Sequence, residues 1–217
     1  MVITPIIKDS MLFSTKDHPG HFSTICFVEM GDCNLSCVDC HNKSACQKNY
    51  KPEYYKYNDF IQTFESSVSL GTADVFIISG GEPTLHTDEL TELLSLLREN
   101  YSDIDIRVDT NGQLPLEMEK LKPFINGFGI DIKIPIKYKY TDDERKRFRS
   151  IIGIKDIDGY RDNVIRSIAI SDDMSHTVFR TVKYKMLDDS DVENITQLTN
   201  LLHSPHYWNN FVKGINL

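Results

Sequence analysis

Three cysteines stand close together in Gly31-Asp32-Cys33-Asn34-Leu35-Ser36-Cys37-Val38-Asp39-Cys40-His41-Asn42, at the spacing C-x3-C-x2-C. Thiolates are the usual ligands of iron–sulfur clusters, and the ferredoxin patterns bring four cysteines to each cubane. Here no fourth cysteine falls at a regular spacing. Three thiolates on a short loop would hold three corners of a cubane and leave one iron open to a ligand from outside the chain. The same residues allow a second chemistry, because Cys33, Cys37, Cys40 and His41 form a Cys3His set of the kind that binds structural zinc. Against zinc, Cys40 and His41 are adjacent and would reach one tetrahedral ion awkwardly, and the usual two separated ligand pairs are missing. On this stretch alone both readings stay open.

The remaining cysteines add little. Cys26 lies in an apolar run and reads as a small buried hydrophobe; Cys46, six residues past Cys40, reads as a free thiol. Five cysteines with three clustered fit a reducing compartment better than a disulfide scaffold. The 217 residues suit one domain, and 40% hydrophobic with 26% charged residues is the balance of a soluble globular protein. A net charge of -8 argues against a nucleic-acid partner. No apolar run approaches the roughly 18 residues that would span a bilayer. The first residues lack the pattern of a secretory signal, so a cytoplasmic location and no membrane contact are expected.

Periodicity supplies the elements that must position the cysteines. Residues 1–20 read as an irregular leader ending at the Pro19-Gly20 turn. Phe22 to Met30 is apolar nearly throughout, as a strand covered on both faces should be, and runs straight into the cysteine loop. Further strands are predicted at 74–79, 104–109, 127–133 and 177–184, with a sixth at 211–216. Between them, Phe60, Ile61, Phe64 and Val68 mark a helix capped by Asn58 and stopped at Gly71. Leu90, Leu93, Leu94 and Leu97 mark the next, and a short one around 116–121 stops at Pro123. Tyr160, Val164, Ile165 and Ile168 mark a fourth; Val192, Ile195, Leu198 and Leu202 mark a last, capped by Ser190 or Asp191. Segments 43–57 and 134–157 show no clear period.

Strands alternating with helices predict a parallel sheet, since parallel neighbours need long crossovers. Six βα units are too few for a closed eight-stranded barrel. The predicted fold is therefore α/β, an open partial (β/α)6 barrel with the cysteine loop after its first strand. One domain is expected over 1–217, with a leader at 1–20 and the partial barrel at 21–217. Ligands of such sheets gather outside the carboxyl ends of the strands. Ser79-Gly80-Gly81-Glu82-Pro83, Asp109-Thr110-Asn111-Gly112 and Asp131-Ile132-Lys133 all fall there. Each alone has an ordinary reading as a turn or as surface charge. Two carboxylates converging on one mouth, however, need a cation or another positive partner nearby.

The C-x3-C-x2-C loop after a first strand resembles the radical S-adenosylmethionine superfamily. Within it, Cys40-His41-Asn42 and the upstream Asp17-His18-Pro19-Gly20 resemble glycyl-radical-enzyme activating proteins. One departure is Asp39, where the superfamily commonly has an aromatic residue near the adenine. The resemblance implies one four-iron, four-sulfur cluster on Cys33, Cys37 and Cys40 and a cosubstrate, S-adenosylmethionine, on its open iron. Gly80, Gly81 and Glu82 match the G-G-E-P segment that meets the cosubstrate's amino group, mainly through backbone atoms. Asp109, Thr110 and Asp131 match residues that hold a monovalent cation beside its carboxylate, and Lys133 matches the lysine that contacts that carboxylate. His41 and Arg180 are carried over as further cofactor-binding residues, with a rim salt bridge the plain reading of Arg180. A late histidine near the ribose has no secure match in His203 or His206.

The implied activity is anaerobic. S-adenosylmethionine is cleaved reductively, and a hydrogen atom is then taken from a glycine Cα on a large glycyl radical enzyme. Anaerobic ribonucleoside-triphosphate reductase is the expected partner, with flavodoxin or ferredoxin as the low-potential electron donor. A pyruvate formate-lyase-type activase and a 7-carboxy-7-deazaguanine synthase-like enzyme are the alternatives. A zinc-stapled interaction domain is a more remote one.

Overall fold

The structure, a computed structural model, describes residues 2–8, 12–29, 31–38, 40, 53–69 and 73–210. The first half of the chain gives β1 (Val2–Ile7), β2 (Leu12–Ser14), β3 (Ser23–Phe27), β4 (Tyr54–Lys56), α1 (Tyr57–Ser69), β5 (Val75–Ser79) and α2 (Thr87–Asn100). The second gives β6 (Asp105–Thr110), α3 (Pro115–Leu121), β7 (Gly127–Asp131), α4 (Asp142–Ile152), α5 (Ile157–Ser171), β8 (Val178–Lys183), α6 (Asp189–Thr199) and β9 (His206–Asn210). Seven strands form one sheet in the order β2-β3-β5-β6-β7-β8-β9, curled into the expected half-barrel. Every neighbouring pair from β3 to β9 is parallel, while β2 joins the edge antiparallel to β3. No helix among the described residues is long and apolar enough to cross a membrane.

The two faces of the sheet differ in chemistry. On the helix side, Ile106, Val108, Phe128, Ile130 and Phe179 pack against Leu90, Leu94, Leu97, Met118 and Val164. Each such fully buried side chain contributes about 1.5–3 kcal/mol relative to exposure. On the concave side, Ile25, Val75 and Ile77 make a small apolar cluster with Phe27. Beyond it, strand pairing places Asp109 beside Gly129 and Asp131 beside Arg180. That half of the concave face is charged, and it leads to the site.

Three expectations need correction. The leader is not irregular: it holds β1 and β2, and β1 pairs with β4 in a separate two-stranded ribbon. Strands of three residues are too short to show a period, and β2 exists because β3 offers an edge. The unassigned 134–157 holds α4, where only Phe148, Ile151 and Ile152 are buried and the charged face hides the apolar stripe. A Thr141–Glu144 capping box starts it and Gly153, at φ 75°, ends it. Asp188, not Ser190 or Asp191, caps α6, and Asp191 returns the bond as its capping-box partner. The last strand described is β9 at His206–Asn210; residues 211–216, where the sixth strand was expected, lie outside the described residues.

The Asp17-His18-Pro19-Gly20 segment is fastened to the floor of the barrel. Arg107 donates from Nη1 to His18 Nδ1 (2.9 Å) and from Nη2 to the Asp17 carbonyl (2.8 Å). A guanidinium only donates, so the His18 proton sits on Nε2 and is given to His176 Nδ1 at 3.1 Å. His176 in turn meets Asp105 at 3.0 Å. Burial lowers His18 to about 4, with the Arg107 charge acting in the same direction. Burial also lowers His206 to about 4, on the helix side, where it donates to Thr181 Oγ1.

Both imidazoles are therefore neutral in the fold and titrate near 6.5 when it opens. The unfolded chain takes up protons first, so stability present above pH 6.5 falls as pH drops towards 4. The thermal midpoint should decrease between about pH 7 and about pH 5, and His206→Gln should remove part of that decrease.

Candidate active site

A cavity of about 580 Å3 opens at the carboxyl ends of the parallel strands. It is lined by Cys33, Cys37 and Cys40, by Gly80, Gly81 and Glu82, and by Asp109, Thr110, Asp131, Lys133 and Arg180. Every residue expected at the site is thus gathered there except His41, which lies outside the described residues, as do Asp39, Asn42 and Cys46. His203 and His206 are not among the lining residues.

The cysteine loop has no regular structure, so neighbouring backbone holds it. Ser36 N donates to the Ile152 carbonyl (3.1 Å) and Val38 N to the Ile151 carbonyl (3.0 Å), using free carbonyls at the end of α4. Gly153 must be glycine here: its positive φ suits no side chain, and a Cβ would lie 2.2 Å from the Ser36 carbonyl oxygen. On the other side the loop crosses the paired glycines. Val28 N donates to the Ser79 carbonyl, and Glu82 N to the Asp32 carbonyl, both at 2.8 Å. A Cβ on Gly81 would sit 2.2 Å from the Asp32 carbonyl oxygen, and one on Gly80 2.7 Å from Val28 N. The glycines thus admit the cysteine loop as well as exposing backbone to the cavity.

Glu82 is 1% exposed, and its carboxylate is fully engaged. It accepts from Thr84 Oγ1 and Thr110 Oγ1 (2.6 Å each) and from Asn111 N (2.8 Å), tying the ends of β5 and β6 together. Burial raises its pKa, and these bonds work against that rise. Thr110 therefore serves Glu82 and also accepts from Gly112 N (3.1 Å).

Five charges run across the concave face and end in the cavity. Asp109 Oδ1 meets Arg107 Nε (2.9 Å) and Asp109 Oδ2 meets Arg180 Nη1 (2.9 Å). Asp131 Oδ1 meets Arg180 Nε (3.2 Å) and Asp131 Oδ2 meets Lys133 Nζ (2.9 Å). Gly129 makes room, because a Cβ there would lie 2.1 Å from Asp109 Oδ1. Burial opposes the charge on Lys133, but Asp131 overrules it and holds the ammonium well above its ordinary value. Burial likewise opposes the Asp131 charge, and Lys133 with Arg180 overrules it, so the carboxyl falls below its usual range.

Burial pushes the Cys33 thiol up to about 11 and raises Cys37 as well, with Lys133 opposing the rise at Cys37. Buried thiolates need a positive partner, which bound iron would provide. Among the described residues, the trio whose ligand atoms all fall within 4.8 Å of one another is His18, His21 and His176, not the three cysteines. The histidine trio is a poor metal site, because the Arg107 donor leaves the His18 proton on the nitrogen facing its neighbours.

Sequence reasoning missed Asn111, whose amide donates to Asn34 Oδ1 (2.7 Å) and lies 3.7 Å from Cys33 Sγ. It stands in the Asp109-Thr110-Asn111-Gly112 turn, where Asn-Gly was read only as a turn signal. Leu35, Val182, Tyr184, Trp208 and Asn209 also line the cavity and carried no local signal. The backbone amide of Lys133 donates to Tyr160 Oη (3.1 Å), so α5 fixes the strand end that carries the ammonium.

The model of the radical SAM superfamily matches residues 30–199. The chain belongs to this superfamily. Family membership implies a four-iron, four-sulfur cluster and S-adenosylmethionine. The chain is 26% identical over 190 residues to a Methanocaldococcus jannaschii protein named "Putative glycyl-radical enzyme activating enzyme MJ1227", covering 85% of this chain and 71% of that one. It is 27% identical over 179 residues to the 7-carboxy-7-deazaguanine synthase of Clostridium acetobutylicum, covering 82% and 71%. Among solved structures, anSMEcpe with bound AdoMet and the Cp18Cys peptide superposes with a TM-score of 0.52 at 17% identity, over 87% of this chain and 50% of that one. The FeFe-hydrogenase maturase HydG of Carboxydothermus hydrogenoformans gives 0.50 at 14%, over 81% and 40%. These similarities speak to the half-barrel fold, and this chain spans half or less of each solved chain.

Gly81→Ala should drive Asp32 off its seat and displace the radical SAM cysteine loop. Iron bound after anaerobic reconstitution should fall well below wild type while circular dichroism keeps its α/β shape. Leu116→Ala, at an exposed surface position, is the control.

Proposed function

We propose that this radical SAM enzyme is a glycyl-radical-enzyme activase, and that anaerobic ribonucleoside-triphosphate reductase is its partner. The observation that carries the site is one cavity lined by three cysteines and by a largely enclosed, ion-paired lysine. Cys33, Cys37 and Cys40 would hold the cluster. Lys133, aimed by Asp131 and by the Tyr160 hydroxyl on its backbone amide, would receive the cosubstrate carboxylate. Backbone atoms of Gly80 and Gly81 would receive its amino group, and Glu82, already saturated by four bonds, would set the position of that strand end. Once bound, and with electrons from a low-potential donor such as flavodoxin or ferredoxin, the cluster and cosubstrate would supply the radical chemistry for taking a hydrogen atom from a glycine Cα. The part of the chain is to orient the reactants and keep water and oxygen away. The similarity to the Methanocaldococcus jannaschii protein supports the activase reading, as do Asp17-His18-Pro19-Gly20 and Cys40-His41-Asn42.

A second reading has its own observation. Two of the relatives, from Clostridium acetobutylicum and Geobacter sulfurreducens, are 7-carboxy-7-deazaguanine synthases at 27% and 28% identity. In that case the cavity would take a small-molecule substrate in place of a protein loop.

Anaerobically reconstituted protein should be brown and, with reductant and S-adenosylmethionine, release 5′-deoxyadenosine; Cys37→Ala should abolish both. Adding the large reductase subunit should give a glycyl-radical resonance, whereas formation of 7-carboxy-7-deazaguanine from its precursor would favour the second reading. Lys133→Met should raise the KM for S-adenosylmethionine by roughly 10- to 100-fold, the worth of one hydrogen bond to a charged group. A KM unchanged by that substitution would remove Lys133 from the carboxylate site.

A further inference from the structure

The activase resemblance implies an alkali cation held by Asp109, Thr110 and Asp131. The side chains of this protein do not fit one. A cation between two carboxylates needs their oxygens free to coordinate it, with hard oxygen donors converging on one point. Here all four carboxylate oxygens already meet a positive nitrogen: Arg107 and Arg180 on Asp109, Arg180 and Lys133 on Asp131. The third expected ligand is engaged as well, since Thr110 Oγ1 accepts from Gly112 N while its proton goes to Glu82. Arg180 lies between the two carboxylates, one guanidinium spanning both, with its side chain only 18% exposed.

We propose that the Arg180 guanidinium takes the place of the alkali cation, so that cosubstrate binding in this protein requires no monovalent metal ion. The proposal rests on reading the cavity as the S-adenosylmethionine site. Charge balance points the same way. Arg107, Arg180 and Lys133 against Asp109 and Asp131 leave one positive charge, at the cavity end of the row. The cosubstrate carboxylate neutralises that charge, whereas an added alkali ion would bring a second positive charge beside a guanidinium. The barrel is shaped for the fixed group. Gly129 leaves space for the Arg107–Asp109 pair, and Arg107 is anchored from below by His18 and the Asp17 carbonyl. Burial opposes the charge on Arg180, but Asp109 and Asp131 overrule it and raise its pKa above the ordinary value. It remains a cation at any working pH.

The test exchanges sodium or potassium for tetramethylammonium at constant ionic strength, using the cluster-loaded protein under anaerobic conditions. Affinity for S-adenosylmethionine, measured by titration calorimetry, should change by less than about twofold for the wild type. Arg180→Met removes the bridging charge and leaves each carboxylate with one positive neighbour. Its affinity should be weakened in tetramethylammonium and recover by about tenfold in potassium or sodium, a gain that simple damage to the fold would not produce. The thermal midpoint without cosubstrate is a second readout. It should be indifferent to the cation in the wild type and rise with the alkali ion in Arg180→Met. A wild-type affinity or midpoint that rises specifically with sodium or potassium, and loses that response in Asp131→Asn, overturns the proposal. Should Arg180→Met fail to fold, the wild-type comparison alone decides. Absence of S-adenosylmethionine binding in every buffer, with the midpoints behaving as expected, would defeat the reading of the cavity and leave the Arg180 assignment standing.

Discussion

Everything at this site depends on seating a loop that has no regular secondary structure of its own. The thiols of Cys33 and Cys37 sit where they do because Ser36 and Val38 donate to the last carbonyls of α4, and because Asp32 accepts from Glu82 across two glycines. A helix end and a strand end each leave backbone groups unpaired, and the loop uses both sets. Van der Waals distance enforces the arrangement. Side chains at Gly80, Gly81 or Gly153 would overlap loop or strand backbone, which cannot retreat as the tip of a long side chain can.

The second constraint is electrostatic. Burying Arg107 and Asp109 in a sheet interior is unfavourable unless every charge has a partner with good geometry. The concave face meets that condition by alternating sign across β6, β7 and β8, and it closes the row on Lys133 at the mouth of the cavity. His18 joins the same row from the floor, so the segment before the first parallel strand is linked through the buried charges to the cavity end. Stability and site geometry are thus supplied by the same side chains. This leaves few acids or bases free for proton transfer, as expected where the difficult chemistry belongs to a cofactor.

Much of the architecture was legible because it rests on local signals. Leu90, Leu93, Leu94 and Leu97 repeat on one helical stripe and all four are buried in α2. The apolar run at β3 reads as a strand covered on both sides, and all of it but Phe27 is buried. What escaped was set by partners distant in sequence. The three residues of β2 form a strand only beside β3, and α4 turns just three apolar side chains inward from a charged surface. The cap of α6 was placed two or three residues late, because Asp188, Ser190 and Asp191 all have capping chemistry and only the backbone angle at Asp188 selects it.

The sequence by itself determined the chemistry: three cysteines at C-x3-C-x2-C, glycines and charged residues at successive strand ends, and a βα alternation that brings those ends to one rim. Motif and period are local properties, and such properties survive in one dimension. Tertiary structure alone decided how the charges pair. Asp109, Asp131 and Arg180 are far apart along the chain and read equally well as a cation site with a rim salt bridge or as one bridged row. The choice depends on distances of about 3 Å from Arg180 on β8 to Asp131 on β7 and to Asp109 on β6 beyond it. Only the register of β6, β7 and β8, with Gly129 leaving the space between, sets those distances.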